Sequence, residues 1–345
     1  MRIAIVSERL DGRSDEGIKN VARALIRELS REHDVLALSG RGSSEDENFV
    51  HVPMNAWFLN RELHARARRF NPDATLYVPW TSGTPRTFLR AKLLASAGKV
   101  PVAVFLTQPY RGRVWEQSLS RLLRPQLLLA MSDQTLAEAS ELGAPAEFVP
   151  AGVELALFGL PSEEGREAAR RRLGLAPDER VILHVGHLNT SRMEPEEMAR
   201  IAGRTSFRLV VVGSPDTPQD PGLIRHLERA GALVLRDFVP RIASIYGAAD
   251  VYLFPTRNPR SCIGVPLSVL EALACGLPVV STPFQGLPRL FPDTPFVRFA
   301  ATSPDIEAAL EEAPAAGQAA ARALVEPLDW ARIALEVSEL LRGLA

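Results

Sequence analysis

Short apolar runs rich in Val, Ile and Leu recur along this chain, and segments with helical periodicity fill the intervals between them. Runs that are apolar throughout, rather than alternating with polar residues, are typical of parallel strands covered by helices on both faces of a sheet. The first half contains six such runs, at 2–6, 34–38, 74–78, 101–105, 126–130 and 146–150. The pattern then restarts with five more, at 180–186, 207–213, 232–238, 250–255 and 277–282. The sequence therefore predicts an α/β protein with two doubly wound, Rossmann-like domains.

The boundary between the two domains is predicted in the stretch from Pro150 to Asp178, which is rich in Pro, Gly and charge. We place the N-terminal domain at 1–160 and the C-terminal domain at 165–328, and the helix at 329–345 is a candidate to complete the N-terminal domain. Ligands of open parallel sheets bind beyond the carboxyl ends of the strands. Two such domains that face one another are therefore expected to bind their ligand in an interdomain cleft.

Composition excludes several classes of protein. No stretch approaches the roughly 18 consecutive apolar residues of a membrane span, and the N-terminal MRIAIVSERL has too short an apolar run for a secretion signal, so we expect a cytoplasmic protein. Two cysteines, Cys262 and Cys275, fit neither a disulfide framework nor a zinc site, so both are expected to be reduced. A formal net charge of −1 argues against a nucleic-acid partner.

Positive charge is concentrated in one part of the first half. The segment from Arg61 to Arg124 has twelve Lys or Arg residues against three Asp or Glu. This excess is compatible with a solvated, arginine-rich surface, and equally with a face for an anionic partner such as a phosphate-bearing acceptor or a bilayer. The residues alone leave both interpretations open.

One carboxylate interrupts the apolar stretch PLSVLEALACGLPVVSTPFQGLP at 266–288. Pro266 suits the first position of a helix and Gly276 suits the position just past its end. The predicted helix is apolar nearly all round and should be buried. A buried carboxylate without partners costs several kcal/mol, so Glu271 is expected either to bond to neighbouring backbone groups or to face a site.

The run AADVYLFPT followed by PLSVLEALACGLPVVST resembles the C-terminal signature of GT-B glycosyltransferases, specifically the large retaining family 4. Three further stretches are similar to that family in order and spacing: SDEGIKNVARALIREL at 14–29, AMSDQTLAEASELGAPAEFVPAGVELALF at 130–158 and HVGHLNTSR at 184–192. Together these stretches extend the resemblance over nearly the whole chain. It implies a GT-B enzyme that moves a sugar from a nucleotide-diphosphate donor to an acceptor, with retention of anomeric configuration and without a metal or other cofactor.

The resemblance also assigns roles to residues. Glu271 would hold the ribose hydroxyls of the donor, and Arg192 would neutralise its diphosphate; these are the two catalytic candidates. Gly17 and Gly12 match the glycine-rich turn whose amides approach the phosphates. The other donor-binding candidates, by match to the family, are Gly186, His187, Phe238, Val239, Ile263, Gly264 and Val265.

The sequence departs from the family pattern at three places. Ile263 stands where the family has the first glutamate of its Glu-x7-Glu motif, and His187, which can be neutral near pH 7, stands where the family has a basic residue. In FLTQPYRG, Gln108 or a neighbour replaces a histidine that is often found near the reacting sugar. The alternative function is therefore a catalytically silent GT-B protein that binds a nucleotide sugar or a partner.

The acceptor is the least determined part of the prediction. Gln108, Tyr110 and Arg111 are the acceptor-side candidates, and the surrounding arginines favour an anionic or lipid-linked acceptor and peripheral contact of the basic N-terminal face with a membrane. A dinucleotide-dependent oxidoreductase is disfavoured, because no G-x-G-x-x-G follows a strand and DGRSDEG at 11–17 has the wrong spacing.

Overall fold

The computed structural model describes residues 1–11, 16–41, 49–190, 194–204, 206–215 and 217–345. The chain divides into two compact units. The first unit comprises Met1–Ala151, Ile263–Val265 and Trp330–Ala345, and the second comprises Gly152–Cys262 and Pro266–Asp329. Each unit contains one parallel sheet with helices between its strands, so the predicted α/β fold with two doubly wound units is confirmed. The interdomain cleft stays a prediction.

The first unit is built on a seven-stranded sheet in the order β3-β2-β1-β4-β5-β6-β7. Its strands are β1 (Arg2–Ser7), β2 (Asp34–Ser39), β3 (Val50–His51), β4 (Ala74–Tyr77), β5 (Val102–Leu106), β6 (Leu127–Ala130) and β7 (Ala146–Phe148). All neighbouring pairs are parallel; Ile3, for example, lies between Val35 and Ala74. Both faces of β1, β4 and β5 are buried, which explains why these strands are apolar at every position rather than at alternate ones.

Helices connect these strands in the right order for a doubly wound sheet. They are α1 (Gly17–Leu29), α2 (Arg61–Phe70), α3 (Pro85–Gly98), α4 (Val114–Leu123) and α5 (Asp133–Leu142). Helices α2, α3, α4 and α5 pack side by side in that order. A core cluster that includes Phe58, Leu63, Phe88 and Leu94 fills the space between this helical layer and the sheet.

The second unit is built on a six-stranded parallel sheet in the order β10-β9-β8-β11-β12-β13. Its strands are β8 (Val181–Gly186), β9 (Arg208–Gly213), β10 (Leu233–Leu235), β11 (Val251–Phe254), β12 (Val279–Ser281) and β13 (Val297–Phe299). Its helices are α6 (Glu163–Leu173), α7 (Pro195–Arg204), α8 (Pro221–Arg229), α9 (Ile242–Ala248), α10 (Leu267–Ala274), α11 (Leu287–Leu290), α12 (Ser303–Glu311) and α13 (Gln318–Ala323), followed by a 3₁₀ turn at Glu326–Leu328.

The last helix, α14 (Trp330–Arg342), returns to the first unit and packs against α1 and β4. Its buried residues include Ile333, Val337 and Leu341, which recur at the helical period and form one apolar stripe. A hydrogen bond of 2.7 Å between His33 Nε2 and Ser338 Oγ adds a polar contact between the helix and the first unit.

The structure differs from the sequence prediction in three details. The short strands β3 and β13 were not predicted, because two or three residues carry too little pattern to separate a strand from a loop. The alanine-rich segment at 303–323 forms α12 and α13, with Gly317 at a φ of +100° between them. Helix α10 begins at Leu267, since Pro266 has an extended ψ of 124° and acts as the N-cap.

Candidate functional site

Helix α10 carries Glu271 and is held by hydrogen bonds at its carboxyl end. Five of its eight residues are buried, as expected for a helix that is apolar nearly all round. At its carboxyl end Gly276 takes a φ of +82°, which allows its N–H to bond to Leu273 O at 2.9 Å. The Arg322 guanidinium donates to Ala274 O at 2.7 Å and to Phe158 O at 2.6 Å. The helix therefore presents Glu271 in a defined position.

The carboxylate of Glu271 bonds to a side chain and not to neighbouring backbone groups. Its Oε2 accepts a hydrogen bond of 2.7 Å from the Tyr246 hydroxyl, and Tyr246 is its hydrogen-bond partner among the residues that the structure describes. Burial raises the pKa of Glu271 to about 7, although the bond from Tyr246 acts to lower this pKa. The carboxyl group is therefore close to half-ionised at neutral pH, and further hydrogen-bond donors would stabilise its charged form.

Two buried tyrosines support this carboxylate. The ring of Tyr246 lies 5.9 Å from that of Tyr252 and 5.9 Å from that of Phe158, centroid to centroid. The Tyr252 hydroxyl donates to Val185 O at 3.3 Å and also bonds to the side chain of Ser268. Burial raises the pKa of both tyrosines, so both stay protonated and act as donors. These contacts tie the end of β8 to α9, β11 and the first turn of α10.

The strand β8 ends at Gly186, one of the predicted donor-binding residues. A Cβ at Gly186 would lie 2.8 Å from His184 Nε2, and His184 is itself held by Leu253 O at 2.9 Å. Gly213 pairs with Gly186 in the sheet and ends β9, and a Cβ there would lie 2.3 Å from Leu188 Cδ1. The side chains of His184 and Leu188 thus fill the space that a Cβ would need at the two strand ends, which accounts for glycine at both positions.

His187 follows Gly186 and is partly buried. Its Nδ1 lies 2.9 Å from Thr217 Oγ1, which orients the imidazole ring. Phe238 and Val239 follow β10 and are also partly buried. Because β8, β10 and β11 are parallel, the residues that follow them lie at one edge of the sheet, together with the start of α10. The second unit therefore gathers the predicted donor-binding residues Gly186, His187, Phe238, Val239 and Glu271 on its carboxyl edge and the adjoining helix.

The remaining donor candidates fall elsewhere. Gly12 and Arg192 lie outside the described residues. Gly17 opens α1 in the first unit, and the segment Ile263–Val265 is part of that same unit. A Cβ at Gly17 would lie 3.3 Å from Ile263 Cδ1, and the N–H of Gly264 donates to Thr107 O at 2.6 Å. Ile263 is buried, so its apolar side chain is used in packing.

The acceptor-side candidates Gln108, Tyr110 and Arg111 follow β5 in the first unit. The N–H of Tyr110 donates to Glu138 Oε2 at 2.7 Å, and burial raises the pKa of this glutamate. The Tyr110 hydroxyl donates to Glu116 Oε1 at 3.0 Å. Tyr110 and Arg111 line a pocket of about 30 Å³, which holds one or two water molecules and is too small for a sugar ring.

A larger pocket of about 560 Å³ lies within the second unit at the opposite edge of its sheet. Residues that precede strands line it, among them Arg180, Phe207 and Asp250. Arg166 Nη2 donates to Asp250 Oδ1 at 2.6 Å, so these two lining charges compensate each other. None of the predicted donor-binding residues lines this pocket.

Sequence reasoning missed Tyr246, which is the residue in contact with Glu271. The sequence analysis names the nearby Phe238 and Val239 as donor-binding candidates but does not identify a tyrosine as a partner of the carboxylate. A usable signal was present, because a tyrosine in an apolar segment needs a hydrogen-bond acceptor for its hydroxyl when it is buried. Pairing that need with the one carboxylate of the apolar helix would have suggested the contact.

Comparison with solved structures identifies the fold of this protein. Solved structures match the whole chain: HepE of Anabaena in complex with UDP-glucose has a TM-score of 0.76 and 16% sequence identity, and covers 100% of both chains. Sucrose-phosphate synthase from Thermosynechococcus elongatus has a TM-score of 0.75 and 17% identity, and covers 99% of this chain and 98% of that chain. The two parallel sheets and this whole-chain likeness define a protein of the GT-B fold.

The second half of the chain is similar in sequence to a known family. A model of the family described as glycosyl transferases group 1 matches residues 179–342, so the resemblance predicted from the sequence is confirmed. A D-inositol 3-phosphate glycosyltransferase from Acidothermus cellulolyticus is 36% identical over 156 residues, 40% of this chain and 33% of that protein. One from Segniliparus rotundus is 30% identical over 194 residues, 50% of this chain and 42% of that protein. The chain spans less than half the length of these curated relatives.

Proposed function

We propose that the protein is a retaining, metal-independent glycosyltransferase that moves a sugar from a nucleotide-diphosphate donor to an acceptor. The observation that carries the proposal is Glu271: a partly buried carboxylate with a pKa of about 7, bonded to Tyr246 and located on a helix that starts at the carboxyl edge of the sheet. A group in this state is suited to accept hydrogen bonds from a pair of hydroxyls, such as those of a ribose. The match of residues 179–342 to a glycosyltransferase family supports the same role.

Each part of this edge is suited to one part of a nucleotide sugar. The ribose hydroxyls would bond to Glu271, which Tyr246 positions. The base would lie near the backbone of Phe238 and Val239, and the diphosphate would lie near Gly186 and His187 at the end of β8. Arg192 is proposed as the cation that neutralises the diphosphate. The UDP-glucose bound to HepE supports a uridine nucleotide as the first donor to test.

The chemical step needs stabilisation of the departing diphosphate as the anomeric bond breaks. Arg192 and His187 would supply positive charge, and the free amides at the start of α10 would favour an anion. Retention follows when the leaving phosphate accepts the proton of the acceptor hydroxyl on the face from which it departs. No protein general base is assigned in this scheme.

The acceptor is proposed to be anionic or lipid-linked, and the protein is proposed to be cytoplasmic with peripheral membrane contact through the basic N-terminal face. The excess of arginine between Arg61 and Arg124 supports an anionic partner. The names of the curated relatives, which act on D-inositol 3-phosphate, support an acceptor that bears phosphate.

Calorimetric titration with UDP, GDP, ADP and dTDP, and with their common sugar conjugates, tests the donor site. We expect one nucleotide to bind and Glu271→Gln to weaken that binding at least tenfold, because a charged acceptor is lost. Transfer or donor hydrolysis that persists in EDTA is the expected result for metal independence. If no nucleotide binds in any form, the proposal is wrong.

A second candidate function is a catalytically silent protein that binds a nucleotide sugar. It is favoured by one observation: Ile263, where the family has a glutamate, is buried and provides no carboxylate near the transferred sugar. Nucleotide-sugar binding without hydrolysis or transfer to any acceptor tested would select this function. Turnover that Glu271→Gln abolishes would select the enzyme.

A further inference from the structure

Helix α4 turns its apolar side to solvent. The exposed fractions are 82% for Val114, 60% for Trp115, 40% for Leu119 and 71% for Leu122. Trp115, Leu119 and Leu122 are spaced i, i+4 and i+7, so they form one stripe along the helix. A surface helix ordinarily buries such a stripe against the core and exposes its polar side. In α4 Ser120 is the buried residue.

Polar contacts on the inward side hold α4 in this orientation. Glu116 accepts from the Arg113 N–H at 2.6 Å and from the Tyr110 hydroxyl at 3.0 Å. Gln117 Nε2 donates to Gly112 O at 3.3 Å, and Arg121 Nε donates to Glu141 O at 3.1 Å. Rotating the apolar stripe inward would break these bonds and bring Glu116 to the surface. The exposed stripe is therefore a feature of the folded unit that its own core does not cover.

Basic residues surround the exposed stripe. The exposed arginines at the two ends of α4 are Arg111, Arg113, Arg121 and Arg124. Glu116 is the one acidic residue between 111 and 124, and it is bonded to Arg113 and Tyr110. Helix α2, two helices away in the same layer, exposes further arginines at 66, 68 and 69. An exposed apolar stripe with arginines around it is complementary to a partner that has an apolar interior and an anionic surface.

We propose that the outward face of α4, namely Trp115, Leu119 and Leu122 with the arginines at the helix ends, docks on a bilayer that contains anionic phospholipid. This rests on the peripheral membrane contact in the proposed function and names the element that makes it. Tryptophan favours the interfacial region of a bilayer, and arginines at the rim pair with anionic headgroups. No helix among the described residues is long and apolar enough to cross a membrane.

A second copy of the chain fits this face less well. Face-to-face pairing of two α4 helices would bring the arginines at the ends of one helix close to those of the other. Like charges placed together in this way weaken association. A bilayer with anionic headgroups supplies the opposite charge along with the apolar layer.

Co-sedimentation of the full chain with neutral phosphatidylcholine vesicles and with vesicles containing phosphatidylglycerol tests the proposal. We expect binding to the anionic vesicles alone, weakening as salt is raised. Brominated lipid is expected to quench tryptophan fluorescence in the wild type and not in Trp115→Phe. Replacing Arg113 and Arg124 with glutamine should weaken vesicle binding about 30-fold.

Leu119→Ser with Leu122→Ser removes the apolar stripe at exposed positions and should abolish binding. Leu335→Ser is the matched control, because this leucine is 48% exposed on α14 of the same unit and should not affect binding. Sedimentation no greater than with neutral vesicles overturns the proposal. So does a dimer in light scattering that the double leucine variant dissociates while vesicles fail to bind. Nucleotide titration without vesicles tests the donor site separately, so the two proposals fail independently.

Discussion

Replacing Glu271 with glutamine separates the folding cost of this carboxylate from its role in ligand binding. Burial raises its pKa from an ordinary value of 4.5 to about 7. Ionising the group in the folded protein therefore costs about 2 to 3 kcal/mol more than ionising it in the unfolded chain, with allowance for its partial exposure. The glutamine amide keeps an oxygen that accepts from Tyr246 and carries no charge.

The sign of the pH dependence follows from the raised pKa. Below about pH 4.5 the carboxyl is protonated in both states and contributes no penalty. As pH rises to about 7, the unfolded chain loses this proton while the folded protein retains it, so the free energy of unfolding of the wild type falls. Above about pH 7 the penalty is constant. The glutamine variant lacks this term, so the two proteins should diverge between pH 4.5 and 7.

Differential scanning calorimetry of the second unit's transition at pH 4.5 and pH 8 measures this divergence. We expect equal midpoints at pH 4.5 and a midpoint about 4 to 12 °C higher for Glu271→Gln at pH 8. The same variant should bind the nucleotide donor at least tenfold more weakly. Glu228→Gln, an exposed glutamate on α8, makes the same change at the surface and should leave both quantities unchanged. A midpoint difference that does not vary with pH would refute the reasoning.

Three further substitutions test other parts of the structure. Glu8→Gln removes the negative charge that accepts hydrogen bonds from the Tyr77 hydroxyl, the Trp80 N–H and the nearly buried Arg90, and should lower the free energy of unfolding of the first unit by about 3 kcal/mol in calorimetry. Gly276→Ala places a Cβ 2.5 Å from Gln318 Cβ at a φ of +82°, and should destabilise the second unit by at least about 2 kcal/mol by the same method. Tyr246→Phe removes a bond that lowers the pKa of Glu271, so nucleotide binding should weaken at pH 7 and recover in part at pH 8.5, as titration at both values would reveal.

Matched variants control two of these tests. Glu62→Gln breaks an exposed pair in which Arg66 lies 2.8 Å away, and should cost less than about 0.5 kcal/mol. Gly174→Ala has a similar φ of +68° but no atom within 4 Å of the added Cβ, so strain alone should cost about 1 kcal/mol. Equal effects of Glu8→Gln and Glu62→Gln would contradict the assigned burial. Equal effects at Gly174 and Gly276 would contradict the assigned steric clash. For Tyr246→Phe, a binding deficit that is the same at both pH values would contradict the coupling to Glu271.

Much of the fold could be predicted because strands buried on both faces must be apolar at every position. The runs at 2–6 and 181–186 are examples of this pattern. The second series of apolar runs, which begins with 181–186, indicates the second unit. The capping of α10 by Gly276 was also predictable, since a left-handed residue after a helix favours glycine. The residues at the carboxyl edge of the second sheet follow from strand order once parallel pairing is known.

The sequence by itself determined that this chain forms two parallel sheets, that α10 is buried, and that one carboxylate in it requires a partner. Only the tertiary structure decided that the partner is Tyr246, 25 residues earlier in the chain, and that the apolar stripe of α4 faces solvent. The spacing of apolar residues in the sequence predicts which residues of a helix share a face, because a shared face depends on the geometry of the helix alone. Which neighbour or solvent that face meets depends on how distant segments pack, and this is set by the whole unit.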